Sequence, residues 1–267
     1  MIARGAFVFV VNITKLLEFP EMTQLNGKMA LVTGGSRGIG AAIAKRLARD
    51  GAAVAITYGN AADKAAEVVA EIKASGGEAL AIKADNRDPE AVRAAIEEVA
   101  KTYGKIDILV NNAGILSGGS IEDETLETFD RIVDVNIRGV FVAVQAALKH
   151  MPDGGRIITT GSSLAHKVPF PGISLYSMTK SALIGFTRGV ARDLGARGIT
   201  VNLLHPGPTN TDMNPEHGEN GDAMRSFMAI KQFSRSEDTA GLVSWLASDE
   251  ARTVTGAEFT VDSGLNA

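Results

Sequence analysis

Cysteine is absent from this 267-residue chain, which excludes disulfides, thiolate catalysis and a cysteine-ligated zinc. Basic tracts are missing as well, and a net charge of −4 gives nucleic acid no electrostatic footprint. No apolar run reaches the ~20 residues that a membrane-crossing helix needs. The nearest candidate, inside MIARGAFVFVVNITKLLEFPE at the N-terminus, is much shorter and no small-residue cleavage site follows it. Residues 1–21 therefore read as an extension, either a misplaced start or a loose arm, with an ordered arm on a partner subunit and a signal peptide as the alternatives. Repeats, low-complexity tracts and linkers are lacking too. Residues 22–267 are expected to form one domain, in the cytoplasm and away from membranes.

What is present is enough apolar sequence, 45% against 22% charged, to bury a large core. From residue 28 onward two textures alternate. Short β-branched runs (MALVTG, AAVAITY, EALAIKA, IDILVNN, GRIITTG, GITVNLL) are separated by stretches with helical spacing, among them 41–50, 61–75 and 89–103. Each run is followed by a crossover long enough for a helix. That order predicts an α/β fold, a parallel sheet wrapped by helices on both faces, with ligands beyond the carboxyl ends of the strands. The least regular segment, PTNTDMNPEHGENGD at 208–222, reads as a mobile loop over the site, with a plain surface loop as the alternative.

The first run leads straight into TGGSRGIGAAIAKRLA. Glycines 34, 38 and 40 allow a tight turn, close approach of a pyrophosphate and close packing of the next helix, whose N-terminus offers unpaired N–H groups to an anion. The spacing differs from GxGxxG, but its place after a strand and before a helix points to a dinucleotide. A P-loop is excluded because no Gly-Lys-Ser/Thr follows. Further along, YSMTK puts Tyr176 and Lys180 four residues apart, on one face of a long helical stretch. A phenol of pKa about 10 shuttles protons poorly at neutral pH unless a nearby positive charge stabilises its anion, and Lys180 can supply one.

TGGSRGIG at 33–40, NNAG at 111–114, VNIRG with Asn136, a serine thirteen positions before Tyr176, YxxxK, and PGPTNTDM from Pro206 stand in one order. Together, over about residues 25–267, they resemble the classical short-chain dehydrogenase/reductase family. The resemblance implies a single doubly wound Rossmann domain with a parallel sheet of about seven strands. It makes Tyr176 the general acid in reduction and base in oxidation, and gives Lys180 the added task of binding the nicotinamide ribose. Ser163, chosen over the adjacent Ser162 by the thirteen-residue spacing, would hydrogen-bond the substrate oxygen. Asn136 would hold a water in the proton relay, or else serve only as a helix-bend residue.

Cofactor choice follows from one absence and one presence. The second strand ends ITYGNAAD, without the carboxylate that binds a ribose 2′-OH, while Arg37 in the glycine loop suits a 2′-phosphate. NADP(H) is thus favoured over NAD(H), with Tyr58 and Asn60 supporting the phosphate or adenine and Asp63 the residue that would argue against it. Gly34, Ser36, Gly38, Ile39 and Gly40 complete the loop contacts. By resemblance, Asp85 and Asn86 face the adenine, and Asn111, Asn112, Ala113 and Gly114 lie beside the adenosine and ribose, with tying of neighbouring strands as the alternative task for Asn111. Pro206, Gly207, Thr209 and Thr211 reach the carboxamide and phosphates.

Ile115, Leu116, Leu164, Phe170, Phe227 and Met228 are candidates for an apolar substrate pocket, or for ordinary packing. The family contains 3-oxoacyl-acyl-carrier-protein reductases as well as reductases of small ketones, so the expected substrate is a ketone or alcohol, or an acyl thioester. Arg197 matches a family arginine that docks the carrier protein, although MPDGG stands where a basic stretch is expected. The C-terminal part also resembles a cyclic-di-GMP-binding branch of the family, a regulatory alternative with little turnover. His150, His166, His205 and His217 have no partner at metal-ligand spacing and read as surface or loop residues. The ending GAEFTVDSGLNA and the long helices after Glu122 and Ser174 resemble the family's assembly surfaces, implying a homotetramer, with a dimer as runner-up.

Overall fold

The computed structural model describes residues 24–217 and 221–267. The extension at 1–21 and residues 218–220 of the irregular segment lie outside the described residues. Seven strands form one sheet: β1 (Met29–Val32), β2 (Ala53–Tyr58), β3 (Ala79–Lys83), β4 (Ile108–Asn111), β5 (Arg156–Thr160), β6 (Thr200–Pro206) and β7 (Glu258–Val261). Their order is β3-β2-β1-β4-β5-β6-β7 and every pairing is parallel. The expected doubly wound sheet is therefore present. The direction of winding reverses between β1 and β4, which opens a crevice at their carboxyl ends.

The sequence builds this sheet because its strands can be buried on both faces. In β1, Ala30 and Val32 turn to one side and Met29 and Leu31 to the other, as the two-residue repeat of a strand requires. The first side is covered by α1 (Gly38–Arg49), α2 (Ala62–Ala74) and, later in the chain, the helix Ser236–Ala247. Ile43, Leu47, Val68, Ile72, Val243 and Leu246 fill that interface. The second side carries α3 (Pro89–Tyr103), α4 (Leu126–Val133), α5 (Gly139–Ala147) and α6 (Ser174–Leu194), packed through Val92, Ile96, Val99, Val142 and Leu194. A short α7 (Gly221–Phe227) precedes the helix Ser236–Ala247, which is α8.

Helix boundaries follow local chemistry. Asp88 caps α3 by accepting from the N–H groups of Glu90 (2.9 Å) and Ala91 (3.3 Å), Pro89 fits the first turn, and Gly104 ends the helix at φ 80°. Two boundaries depart from the apolar pattern. α1 starts at Gly38, inside the glycine loop, and in its first turn Gly40 sits where a methyl would collide with the Gly34 carbonyl oxygen and with Asn112 Nδ2. The long helix after Thr125 is interrupted between α4 and α5 by a π-helical turn, Asp134–Arg138, and Asn136 lies in it.

Among the described residues, no helix is long and apolar enough to cross a membrane.

Candidate active site

The carboxyl ends of the strands enclose a cleft of about 1030 Å³. Apart from the buried Asn111, the cofactor-side residues singled out in the sequence line it, as do Ser163, Tyr176 and Lys180. Its floor is rigid. The Thr33 hydroxyl accepts from the N–H groups of Asn112 (3.0 Å) and Ala113 (3.1 Å), while Asn112 Nδ2 donates to the carbonyls of Thr33 and Gly34 at 3.1 Å each. Gly34 N donates to Thr57 Oγ1 at 3.2 Å. These bonds fasten the glycine loop to β2 and β4. Thr33 is a contributor that sequence reasoning quoted in a motif without giving it a task. At the loop's end, Arg37 occupies the N-cap of α1 with no side-chain cap, leaving the first N–H groups of the helix free for an anion.

Side-chain commitments differ from expectation at several positions. Asp85 is gripped by Arg87 (Nη2 to Oδ2 2.6 Å), which holds its carboxyl below the usual range. Asn86 Nδ2 donates to the Val135 carbonyl at 3.1 Å, so its amide ties the rim to the π turn. Asn111 Nδ2 bonds Thr159 Oγ1 at 3.3 Å, the strand-tying arrangement. Thr209 donates its hydroxyl to Gly207 O at 3.0 Å. Asn136 does not line the cleft: it is 1% exposed, it accepts from Ile115 N at 2.9 Å, and its amide group donates to Ile115 O at 3.0 Å and Thr179 Oγ1 at 3.1 Å. Both of its amide hydrogens are used, and the side chain anchors β4's exit loop to α6.

Arg37 reaches the cleft mouth, where its guanidinium lies 3.7 Å from Asp212. Lys64, on the first turn of α2, is closer to the same carboxylate at 2.6 Å. Lys64 is a second cation at this end that sequence spacing did not suggest, because α2 brings it there from beyond the β2 turn. The hydrogen bond from Lys64 lowers the Asp212 carboxyl below its ordinary range.

At the opposite end, α6 presents Tyr176 and Lys180 on successive turns toward β5. Lys180 is 4% exposed, and its Nζ donates to the Thr160 carbonyl at 2.9 Å and stands 5.7 Å from the centre of the Tyr176 ring. Burial pushes the lysine down to about 8. Burial also raises the Tyr176 phenol, and a hydrogen bond with the Ser162 side chain partly offsets the rise.

Both adjacent serines border the cleft. Ser162 leaves β5 in an extended conformation (φ −166°, ψ 147°) and its hydroxyl accepts from Leu164 N at 3.2 Å, whereas Ser163 begins a 3₁₀ turn over Ser163–Ala165.

Two further expectations change. Phe227 is 41% exposed, and Met228 is 1% exposed in a small cluster with Phe233 and Leu265. Neither lines the cleft. Ile115, Leu116, Leu164 and Phe170 do, joined by Ile173, Met213 and Met224. Arg197 is engaged by Asp153 (3.0 Å) and by backbone carbonyls of the turn before β5, including Met151 O. His205 is fully buried rather than peripheral, because β6 carries it into the core.

Comparison with known proteins follows the same lines. Residues 34–266 match the family model described as enoyl-(acyl carrier protein) reductase. The chain is 42% identical over 246 residues to the cyclic-di-GMP-binding biofilm dispersal mediator protein of Escherichia coli K12, spanning 92% of this chain and 100% of that protein. It is 41% identical over 254 residues to versicolorin reductase 1 of Aspergillus parasiticus, spanning 90% and 97%. A solved short chain dehydrogenase from Burkholderia cenocepacia J2315, in complex with NADP, is 57% identical with a TM-score of 0.90, covering 91% of this chain and 100% of that one.

Which serine hydroxyl touches the phenol is testable by ultraviolet titration. A Ser162 bond lowers the Tyr176 pKa, so Ser162→Ala should move that titration to higher pH. Ser163→Ala should leave it in place. A shift in the second variant and not the first would put the Ser163 hydroxyl at the phenol instead.

Proposed function

The chain belongs to the short-chain dehydrogenase/reductase family, and on that premise we propose that it is an NADPH-dependent carbonyl reductase, running in reverse as an alcohol dehydrogenase. One observation carries the reading. Ser163, Tyr176 and Lys180 line one end of a cleft whose other end has a glycine loop, an uncapped helix N-terminus and Arg37, with Lys64 beside it on Asp212. The glycine-lined floor and the open N–H groups of α1 fit a pyrophosphate, and Arg37 with Lys64 fits a 2′-phosphate. NADP(H), when bound, supplies or accepts the hydride.

The chain's own residues handle the oxygen. Ser163, the cleft-lining serine thirteen residues before Tyr176, donates its hydroxyl hydrogen to the substrate carbonyl and holds it at the phenol. As negative charge grows on that oxygen, Tyr176 passes its proton to it. The Lys180 ammonium steadies the resulting phenolate, a task that weighs more because the pair is screened from water. Asn136 positions Ile115 and Thr179 around them. Ile115, Leu116, Leu164, Phe170 and Ile173 favour an apolar ketone. The carrier-protein version, 3-oxoacyl reduction, has less support because Arg197 is already bonded.

A second reading, sequestration of cyclic-di-GMP, is favoured by the 42% identity to the E. coli dispersal protein. Separate titrations with NADPH and cyclic-di-GMP, alongside a ketone panel, distinguish the two. Assembly as a homotetramer is supported by apolar side chains exposed on α4 and α5, Leu126 (81%), Phe129 (37%) and Phe141 (47%). A monomeric mass by light scattering would count against it.

Tyr176→Phe should keep NADPH affinity nearly unchanged and cut ketone reduction at least ~10²-fold, the scale of a general acid. Wild-type turnover in that variant would remove the tyrosine from the reaction. Arg37→Ala should weaken NADPH by about 1.5–3 kcal/mol, the range for a hydrogen bond to a charged group, and leave NADH almost unaffected. Equal loss for both cofactors would mean that Arg37 shapes the loop and does not read the phosphate.

A further inference from the structure

Three side chains that the proposed reaction does not use converge behind Ser162. His205 comes from β6 with no exposed side-chain surface, Glu258 opens β7 at 15%, and His166, just past the 3₁₀ turn, is 41% exposed. Their ligand atoms lie within 4.8 Å of one another. Glu258 Oε2 is 3.1 Å from His166 Nε2 and 3.3 Å from His205 Nε2. Ligands that each stand ~2.0–2.1 Å from a tetrahedral zinc are separated by roughly 3.3 Å. Two edges of the cluster already have nearly that length.

Hydrogen bonding makes the cluster more than a coincidence of placement. His205 Nδ1 is 2.7 Å from the Ser162 carbonyl oxygen, and the Ser162 N–H is directed at the same nitrogen at 3.2 Å. With the proton on Nε2 the ring accepts from Ser162 N and donates to Glu258 Oε2 at 3.3 Å; with the proton on Nδ1 it donates to the Ser162 carbonyl and turns a free Nε2 lone pair toward Glu258. A cation beside Glu258 selects the second arrangement. Metal-bound histidines characteristically donate their second ring N–H to a carbonyl or carboxylate, the bond that His205 would then make to Ser162. Arg188 donates to Glu258 Oε1 at 2.6 Å, leaving Oε2 for the imidazoles.

We propose that His166, His205 and Glu258 form a binding site for one divalent transition-metal ion of the zinc class, with solvent supplying the fourth ligand on the His166 side. Two imidazoles and one carboxylate suit Zn²⁺ or Co²⁺ better than Mg²⁺ or Ca²⁺, which prefer all-oxygen shells. Sequence spacing hides the site, since its members come from the end of β5, from β6 and from β7 and meet only because those strands are neighbours. An ion there would hold His205 in the tautomer that grips the Ser162 carbonyl, linking the site to the serine beside Tyr176.

The test uses the full chain, stripped of metal by dialysis against a chelator. Titration with Co²⁺ should saturate at one ion per chain with the intense visible absorption of a four-coordinate site, and Zn²⁺ should abolish that absorption. His166→Ala, an exposed change that spares the core, should remove the spectrum and weaken Zn²⁺ at least ~10-fold in competition with a chromogenic chelator, since loss of outer-shell partners alone costs 10–100-fold. Glu258→Gln should do likewise. His217→Ala, which disrupts an exposed His217–Glu216 pair at 3.1 Å, should leave binding unchanged. Failure to saturate in the unmodified chain, or undiminished binding in His166→Ala, would overturn the proposal.

Discussion

A positive charge held almost out of water sets the terms for the rest of the site. Lys180 is 4% exposed and its ammonium has the Thr160 carbonyl as hydrogen-bond acceptor at 2.9 Å. Taking an ammonium out of water costs several kcal/mol unless it is compensated, and the burial shows as a pKa lowered to about 8. Neighbouring elements are shaped around that group. A Cβ on Gly114 would lie 3.3 Å from Nζ, so a glycine gives the ammonium room on the β4 side. Asn136 fastens Ile115, beside Gly114, to Thr179, beside Lys180. β5 supplies both the carbonyl and, two residues on, Ser162. The π turn, the exit from β4, the end of β5 and the second turn of α6 therefore form one hydrogen-bonded unit around a single charge.

The far end of the cleft is arranged by opposite logic. Arg37 and Lys64 are about half exposed and share Asp212, a carboxylate delivered by the segment after β6. Ion pairs so open to water are individually weak. In the proposed complex, a 2′-phosphate dianion would compete with Asp212 for two cations that are already assembled. One end keeps a charge dry, and the other keeps its charges wet.

The alternation of β-branched runs and helical stretches made the sheet, its parallel sense and its single domain readable in the sequence. Strand content was clear because MALV, RIITT and TVNLLHP are buried along their whole length in a covered sheet. Finer features were lost where geometry departs from pattern. Spacing counted thirteen residues back to Ser163, but the pattern could not show that its neighbour Ser162 borders the cleft as well, one still extended after β5 and the other opening a 3₁₀ turn. Phe227 and Met228 have the composition of a pocket, yet α7 turns one to solvent and the other into a local cluster. The His166, His205 and Glu258 group was invisible because strand adjacency joins residues tens of positions apart, and Lys64 because α2 carries it to a loop far along the chain. Asn136 was recognisable by its motif, while its commitment to two backbone groups was not.

The pH dependence of kcat/KM for ketone reduction by NADPH tests the central claim most directly, because it reports the ionisations of the free enzyme. Tyr176 is raised by burial and stays protonated as pH rises, so the first group to lose its proton is Lys180, at about 8. Loss of that charge removes the support of the phenolate. The rate constant should be level below this region and fall as pH rises through about 8. A profile that stays level to about pH 10, where an ordinary lysine titrates, would contradict a buried ammonium acting on the tyrosine.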